Sequence, residues 1–287
     1  MSTPEIDPSR AASPEFNRRV FVGISAAATL ASPATALSAA QEGQTQQPVV
    51  EEDDPAISVE HVSLKSDDAV IGAYAARPLH HTPHTPTVVA IMHVWGVDTS
   101  IREVVRRFAK AGFAAIAPDL YARFGAPSGD GATDYTIFRP YSKRLDRTQY
   151  DGDILAAARW CAAEFPSTKT AIVGFCMGGR IALLASIDNA GTFAAVCPFY
   201  GPLTDVDAAK EQTPVCGSYG GRDTGIPADS VRAFAAALHV PNDIKIYDNA
   251  GHAFMDDRRP SYVAGAAADA WARTIAFLTV HLGAPTP

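Results

Sequence analysis

The stretch Thr170-Ala171-Ile172-Val173-Gly174-Phe175-Cys176-Met177-Gly178-Gly179-Arg180-Ile181-Ala182-Leu183-Leu184-Ala185 carries the reading of the fold. An apolar, β-branched run leads in, a helical pattern leads out, and Gly-x-Cys-x-Gly lies between them. A strand that turns sharply into a helix with a nucleophile at the apex is the nucleophile elbow, here with cysteine where serine is usual. Flanking glycines permit the tight turn and a close backbone approach. The pattern predicts Cys176 at the top of a sheet, its sulfur at a helix N-terminus. Partial positive charge there favours thiolate, the nucleophilic form of the side chain. The competing reading is a buried structural cysteine beside a glycine turn.

Outward from the elbow, strand and helix signals alternate. Before it, Ile57–Lys65 alternates apolar and polar residues as a half-buried edge strand does, with Val70–Ala76 as its hairpin partner. Thr87–His93 and Phe113–Ala117 read as buried strands, separated by a helical pattern through Ile101, Val104, Val105 and Phe108 that stops at Gly112. A long polar segment, Leu120–Arg147, has the length of a lid or a binding loop. Tyr150–Ala163 reads as a helix. After the elbow come strands at Phe193–Tyr200, Pro214–Tyr219 and Ile244–Tyr247, and helices at Ala228–Leu238 and Tyr262–Leu282. Continuous apolar strands alternating with helices predict one α/β domain over residues 57–287, a mostly parallel central sheet with helices on both faces.

A thiol nucleophile needs a base, and the base needs an orienting acceptor. In elbow hydrolases these follow in the order nucleophile, acid, histidine, on loops after later strands. Asp223 follows the Pro214–Tyr219 strand in Gly220-Gly221-Arg222-Asp223-Thr224-Gly225, and His252 follows the last strand in Asn249-Ala250-Gly251-His252-Ala253-Phe254. Both fall at carboxyl ends of strands, where open parallel sheets bind ligands. The alternatives are a turn carboxylate at Asp223, a loop histidine at 252, and Asp205 or Asp207 as the acid. His93 precedes the nucleophile, the wrong order for the base. By position, the oxyanion hole takes the Met177 N–H and a second N–H from Val94 or Trp95. Tyr200, closing its strand, is a candidate substrate contact.

Bulk properties narrow the field. The 287 residues carry a net charge of −7, with 47% hydrophobic and 19% charged residues. An acidic chain without a basic run does not suit a nucleic-acid partner. Cys161, Cys176, Cys197 and Cys216 lack the spacing of a disulfide framework or a zinc site. The loop with His80, His81 and His84 is broken by prolines and reads as a solvated turn rather than a metal site. At the start, Asn17-Arg18-Arg19-Val20-Phe21 is followed by the apolar stretch Val22–Leu30 and by Ala34-Thr35-Ala36. This reads as a twin-arginine signal over 1–36, cleaved after Ala36 or alternatively Ala40. A disordered or extended leader is expected over 37–56. The apolar stretch is too short to insert stably in a bilayer. The expected location is periplasmic or secreted, with the twin-arginine export machinery as a transient partner.

Gly174–Gly179, Gly221-Arg222-Asp223, Ala250-Gly251-His252-Ala253-Phe254, Ala117-Pro118-Asp119-Leu120-Tyr121-Ala122-Arg123 and the helix from Ile101 together resemble the dienelactone hydrolase (carboxymethylenebutenolidase) family. The resemblance implies the α/β-hydrolase fold and cleavage of a small ester or lactone, without metal or organic cofactor. It also implies Cys176, Asp223 and His252 as the triad, and Arg123 as the arginine that holds a substrate carboxylate. Two departures stand out. Family members usually read His-Glu-x-x-Gly after the third strand, the glutamate taking part in cysteine activation, and this chain reads His93-Val94-Trp95-Gly96. The best-known members carry arginine four residues after the histidine, a position held here by Asp256.

Overall fold

A computed structural model of the chain describes residues 49–283. The strands are β1 (Ile57–Lys65), β2 (Val70–Pro78), β3 (Thr87–Ile91), β4 (Ala114–Pro118), β5 (Thr170–Phe175), β6 (Ala195–Phe199), β7 (Val215–Gly220) and β8 (Asn242–Tyr247). The long helices are α1 (Thr99–Lys110), α2 (Arg147–Glu164), α3 (Met177–Asp188), α4 (Ala228–Ala237) and α5 (Ala264–Leu282). One sheet orders the strands β1-β2-β4-β3-β5-β6-β7-β8. The β1–β2 hairpin and the β2–β4 pair are antiparallel, and every later pairing is parallel.

Side chains alternate between the two faces of a strand. Yet every residue of β3, β4, β5, β6 and β7 is buried, so both faces of this part of the sheet are covered. That is why these strands read as unbroken apolar runs. The first strand, at an edge, keeps the partial alternation seen in its sequence. The helices begin where caps allow. Asp98 accepts from the Ile101 N–H at the start of α1, and Asp146 accepts from Thr148 and Gln149 at the start of α2. Among the described residues no helix is long and apolar enough to cross a membrane.

The expected leader over 37–56 needs correction in its last part. Residues 49–56 lie on the domain: Val50 is buried, and its carbonyl accepts from Arg106 Nε at 2.6 Å. Glu52 pairs with the same guanidinium and accepts from the Tyr74 hydroxyl. The buried Arg106 needs those acceptors, and no apolar pattern in residues 49–56 announces them. The twin-arginine stretch and residues 37–48 lie outside the described residues.

Candidate active site

The carboxyl ends of β3, β5, β6, β7 and β8 gather the candidate residues. At the end of β5 the chain turns through Cys176 with φ 54° and ψ −120°, a strained conformation that the surroundings enforce. A Cβ on Gly174 would sit 2.0 Å from the Gly178 carbonyl oxygen, and one on Gly178 would sit 2.4 Å from the Met92 carbonyl oxygen. Both positions exclude a side chain, and the second presses the start of α3 against the end of β3. The Cys176 N–H is anchored to the Phe199 carbonyl of β6 at 3.0 Å.

The Cys176 sulfur lies 3.0 Å from His252 Nε2, and His252 Nδ1 lies 2.7 Å from Asp223 Oδ2. Asp223 is buried, and its other oxygen accepts from the Gly225 N–H at 2.9 Å, so both carboxylate oxygens are engaged. Backbone bonds join the acid loop to the base loop. The Gly221 N–H donates to Tyr247 and the Arg222 N–H to Ala250, at 2.8 and 2.9 Å. Burial pulls the His252 imidazole down, but hydrogen bonds to Asp223 and Cys176 outweigh it and hold its pKa up at about 10. The structure thus brings Cys176, His252 and Asp223 into one relay. The rival acids are engaged elsewhere, Asp205 with Arg180 and Asp207 with the Ala209 N–H.

Tyr200 packs its buried ring edge-on against the His252 imidazole, with centroids 5.2 Å apart. It also touches Phe254. It is a wall behind the base. The Met177 N–H opens α3 and so has no acceptor within the helix. Of the two further oxyanion candidates, Trp95 is spent: its N–H donates to His93 Nδ1 at 3.2 Å. Val94 makes no such bond among the described residues, and its carbonyl accepts from the Tyr121 hydroxyl at 3.1 Å. The same hydroxyl approaches the Met177 sulfur.

Arg123 is not a free clamp. Its guanidinium is bound to Asp153, which is 1% exposed, to Asp68 and to the Ser66 hydroxyl. These bonds tie the turn after β4 to α2 and to the β1–β2 hairpin and occupy both terminal nitrogens, while the buried Nε–H has no partner among the described residues. Asp256 accepts from the Ser100 hydroxyl at 2.9 Å and from Arg259 Nε at 3.3 Å. The Arg259 guanidinium stacks 4.0 Å from the Trp95 ring centroid and donates to the Ala132 carbonyl. The long segment is anchored over Trp95 as well. Phe138 meets the indole at 5.5 Å, a Cβ on Gly129 would strike the Trp95 carbonyl oxygen, and Asp130 takes the Thr99 N–H at 2.7 Å.

The sequence alone points to no role for Asp98, and it names His93, Tyr121 and Arg259 without assigning them a part in the turn after β3. His93 was set aside as a base by its order. Its spacing of two residues to a backbone N–H was the available signal. No carboxylate hydrogen-bonds to the Cys176 sulfur among the described residues, and no group of metal-ligating side chains forms there.

Known proteins resemble this chain over most of its length. The Dienelactone hydrolase family matches residues 71–282. A Yersinia pestis protein that carries the name carboxymethylenebutenolidase is 37% identical over 76% of this chain and 87% of its own. One from Methylorubrum extorquens is 33% identical over 92% of this chain and 93% of its own. Among solved structures, a dienelactone hydrolase-type protein of Klebsiella pneumoniae superposes with TM-score 0.72 at 32% identity, covering 78% of this chain and 99% of that one. The Anabaena variabilis dienelactone hydrolase, at 16% identity and TM-score 0.61, has the same α/β-hydrolase fold. With its elbow, its strand order and these matches, the chain belongs to the dienelactone hydrolase family.

Proposed function

We propose that the chain cleaves a carboxylic ester or lactone through Cys176, by way of a thioester acyl-enzyme. The supporting observation is the unbroken relay from the Cys176 sulfur through His252 to Asp223, at 3.0 and 2.7 Å. The thiolate adds to the carbonyl carbon, and the oxyanion meets the Met177 and Val94 N–H groups. The imidazolium gives its proton to the departing alkoxide, leaving the thioester. His252 then takes a proton from water. The resulting attack displaces the thiolate and releases the acid. Asp223 holds the ring and balances its charge. Residues alone carry these steps, with no metal or cofactor. In a panel of small esters and lactones, Cys176→Ala should lose at least about 10³-fold in kcat. Turnover by that variant at the parental rate would refute the cysteine mechanism.

A second reading, a broad esterase for uncharged substrates, is favoured by Arg123 and Asp256. The first has both terminal nitrogens engaged by Asp153 and Asp68, and the second puts a carboxylate where a cation would clamp an anionic substrate. The same panel discriminates: p-nitrophenyl butyrate should be preferred over the matching p-nitrophenyl hemisuccinate. For location, we propose twin-arginine export, supported by Arg18-Arg19 ahead of an apolar stretch and Ala34-Thr35-Ala36. Replacing both arginines by lysine should retain the full-length chain in the cytoplasm. An unchanged distribution on cell fractionation argues against that route.

A further inference from the structure

The four-residue turn after β3 is held at each of its peptide groups. The Gly96 N–H closes it on the His93 carbonyl at 3.1 Å. The Trp95 N–H donates to His93 Nδ1 at 3.2 Å, and the Tyr121 hydroxyl holds the Val94 carbonyl at 3.1 Å. The Val94–Trp95 peptide plane is therefore gripped at both its oxygen and its N–H. The His93 carbonyl points into the turn, so in a trans peptide the Val94 N–H points out of it. It is the one N–H of residues 94–96 not spent within the turn. The contact of Gly178 with the Met92 carbonyl, and the Tyr121 hydroxyl shared between Val94 and Met177, put this turn beside the start of α3.

His93 is itself fixed from the far side. His93 is buried, and its Nε2 lies 3.2 Å from Asp98 Oδ1, near the carboxylate though poorly directed for a hydrogen bond. Asp98, also buried, caps α1 through the Ile101 N–H, and Arg259 lies 3.8 Å from its other oxygen. Because Nδ1 accepts from Trp95, it carries no proton. The ring hydrogen therefore sits on Nε2, on the side of the Asp98 carboxylate.

We propose that His93 is a positioning residue for the oxyanion turn: its imidazole, backed by Asp98, orients the Val94–Trp95 peptide so that the Val94 N–H stays available to the developing oxyanion. The role rests on the reading of the chain as a Cys176-dependent hydrolase. Transition-state donors act through orientation fixed in advance, so loosening the turn weakens the transition state more than the ground state.

The test measures kcat, KM and thermal midpoint on p-nitrophenyl butyrate, and inhibition by a trifluoromethyl ketone that forms a tetrahedral adduct. His93→Leu should lower kcat about 10²-fold, the scale of a lost oxyanion donor, while KM stays within about threefold and ketone affinity falls in proportion to kcat. His93→Asn, which places an amide oxygen near the position of Nδ1, should recover about tenfold of that loss. A folded His93→Leu with kcat within about threefold of the parent, a rise confined to KM, or no recovery with Asn overturns the proposal. Should His93→Leu fail to fold, Tyr121→Phe decides: kcat should drop about tenfold at constant KM, and an unchanged kcat overturns it. Cys176→Ala, run alongside, separates the two readings. Parental activity in that variant, or none in the parent, sinks the hydrolase reading and the role of His93 with it. Indifferent His93 variants in a Cys176-dependent enzyme sink the role alone.

Discussion

At the scale of single residues, the charge state of His252 is set by its two neighbours. Alone, a half-buried imidazole would lose its proton more easily than in water. Here Asp223 and the Cys176 sulfur reverse that and hold it at about 10. In the proposed mechanism, the imidazolium that protonates the leaving alkoxide should therefore persist far into the alkaline range. We predict an alkaline limb of kcat/KM approaching pH 10, shifted to lower pH in Asp223→Asn; a pH–rate profile with an unmoved limb would count against the coupling. The same linkage acts on stability. A folded-state value above the ordinary 6.5 gives a stabilising contribution that is full below about 6.5 and fades as pH rises through about 10. The unfolding deficit of Asp223→Asn should accordingly be largest near pH 6 and shrink toward pH 10.

At the scale of elements, Arg123 is a joint between three pieces of chain. It links the turn after β4 to α2 through Asp153 and to the β1–β2 hairpin through Asp68. Removing one partner of a buried pair leaves the other charge without compensation, at a cost of about 3–5 kcal/mol. Arg123→Gln should destabilise the fold by an amount of that order, measured by urea unfolding, with little change in KM for an uncharged ester. A raised KM at unchanged stability would restore the substrate-clamp role. The contrast shows which information lay in the sequence. Strand and helix positions, and the order of Cys176, Asp223 and His252, follow from periodicity and from motifs a few residues long. The partners of Arg123 lie 30 and 55 residues away in sequence, and no local pattern encodes them. Asp98 is different: it faces His93 only five residues away, but its burial, which the sequence pattern does not show, is what gives that contact its weight. The packing of residues 49–56 was hidden for a related reason. It depends on Arg106, a basic side chain on the face of α1 that hydropathy assigns to water.

At the scale of the whole molecule, the site is assembled from distant parts of the chain. The β3 turn and the elbow belong to the centre of the sheet, whereas the acid and base ride on β7 and on the edge strand β8. Contacts of such long sequence separation form late, because loop-closure entropy opposes them. During refolding, the fast alkylation of Cys176 by iodoacetamide expected of the proposed nucleophile should appear with the slowest tertiary phase rather than with helix formation. Early appearance would mean that the elbow alone activates the thiol. In the proposed mechanism, placing the histidine after β8, the final described strand in sequence and an edge of the sheet, works as a safety catch. A chain still emerging, or halted before that edge docks, lacks the base beside its cysteine, so the hydrolytic apparatus is complete only in a finished protein.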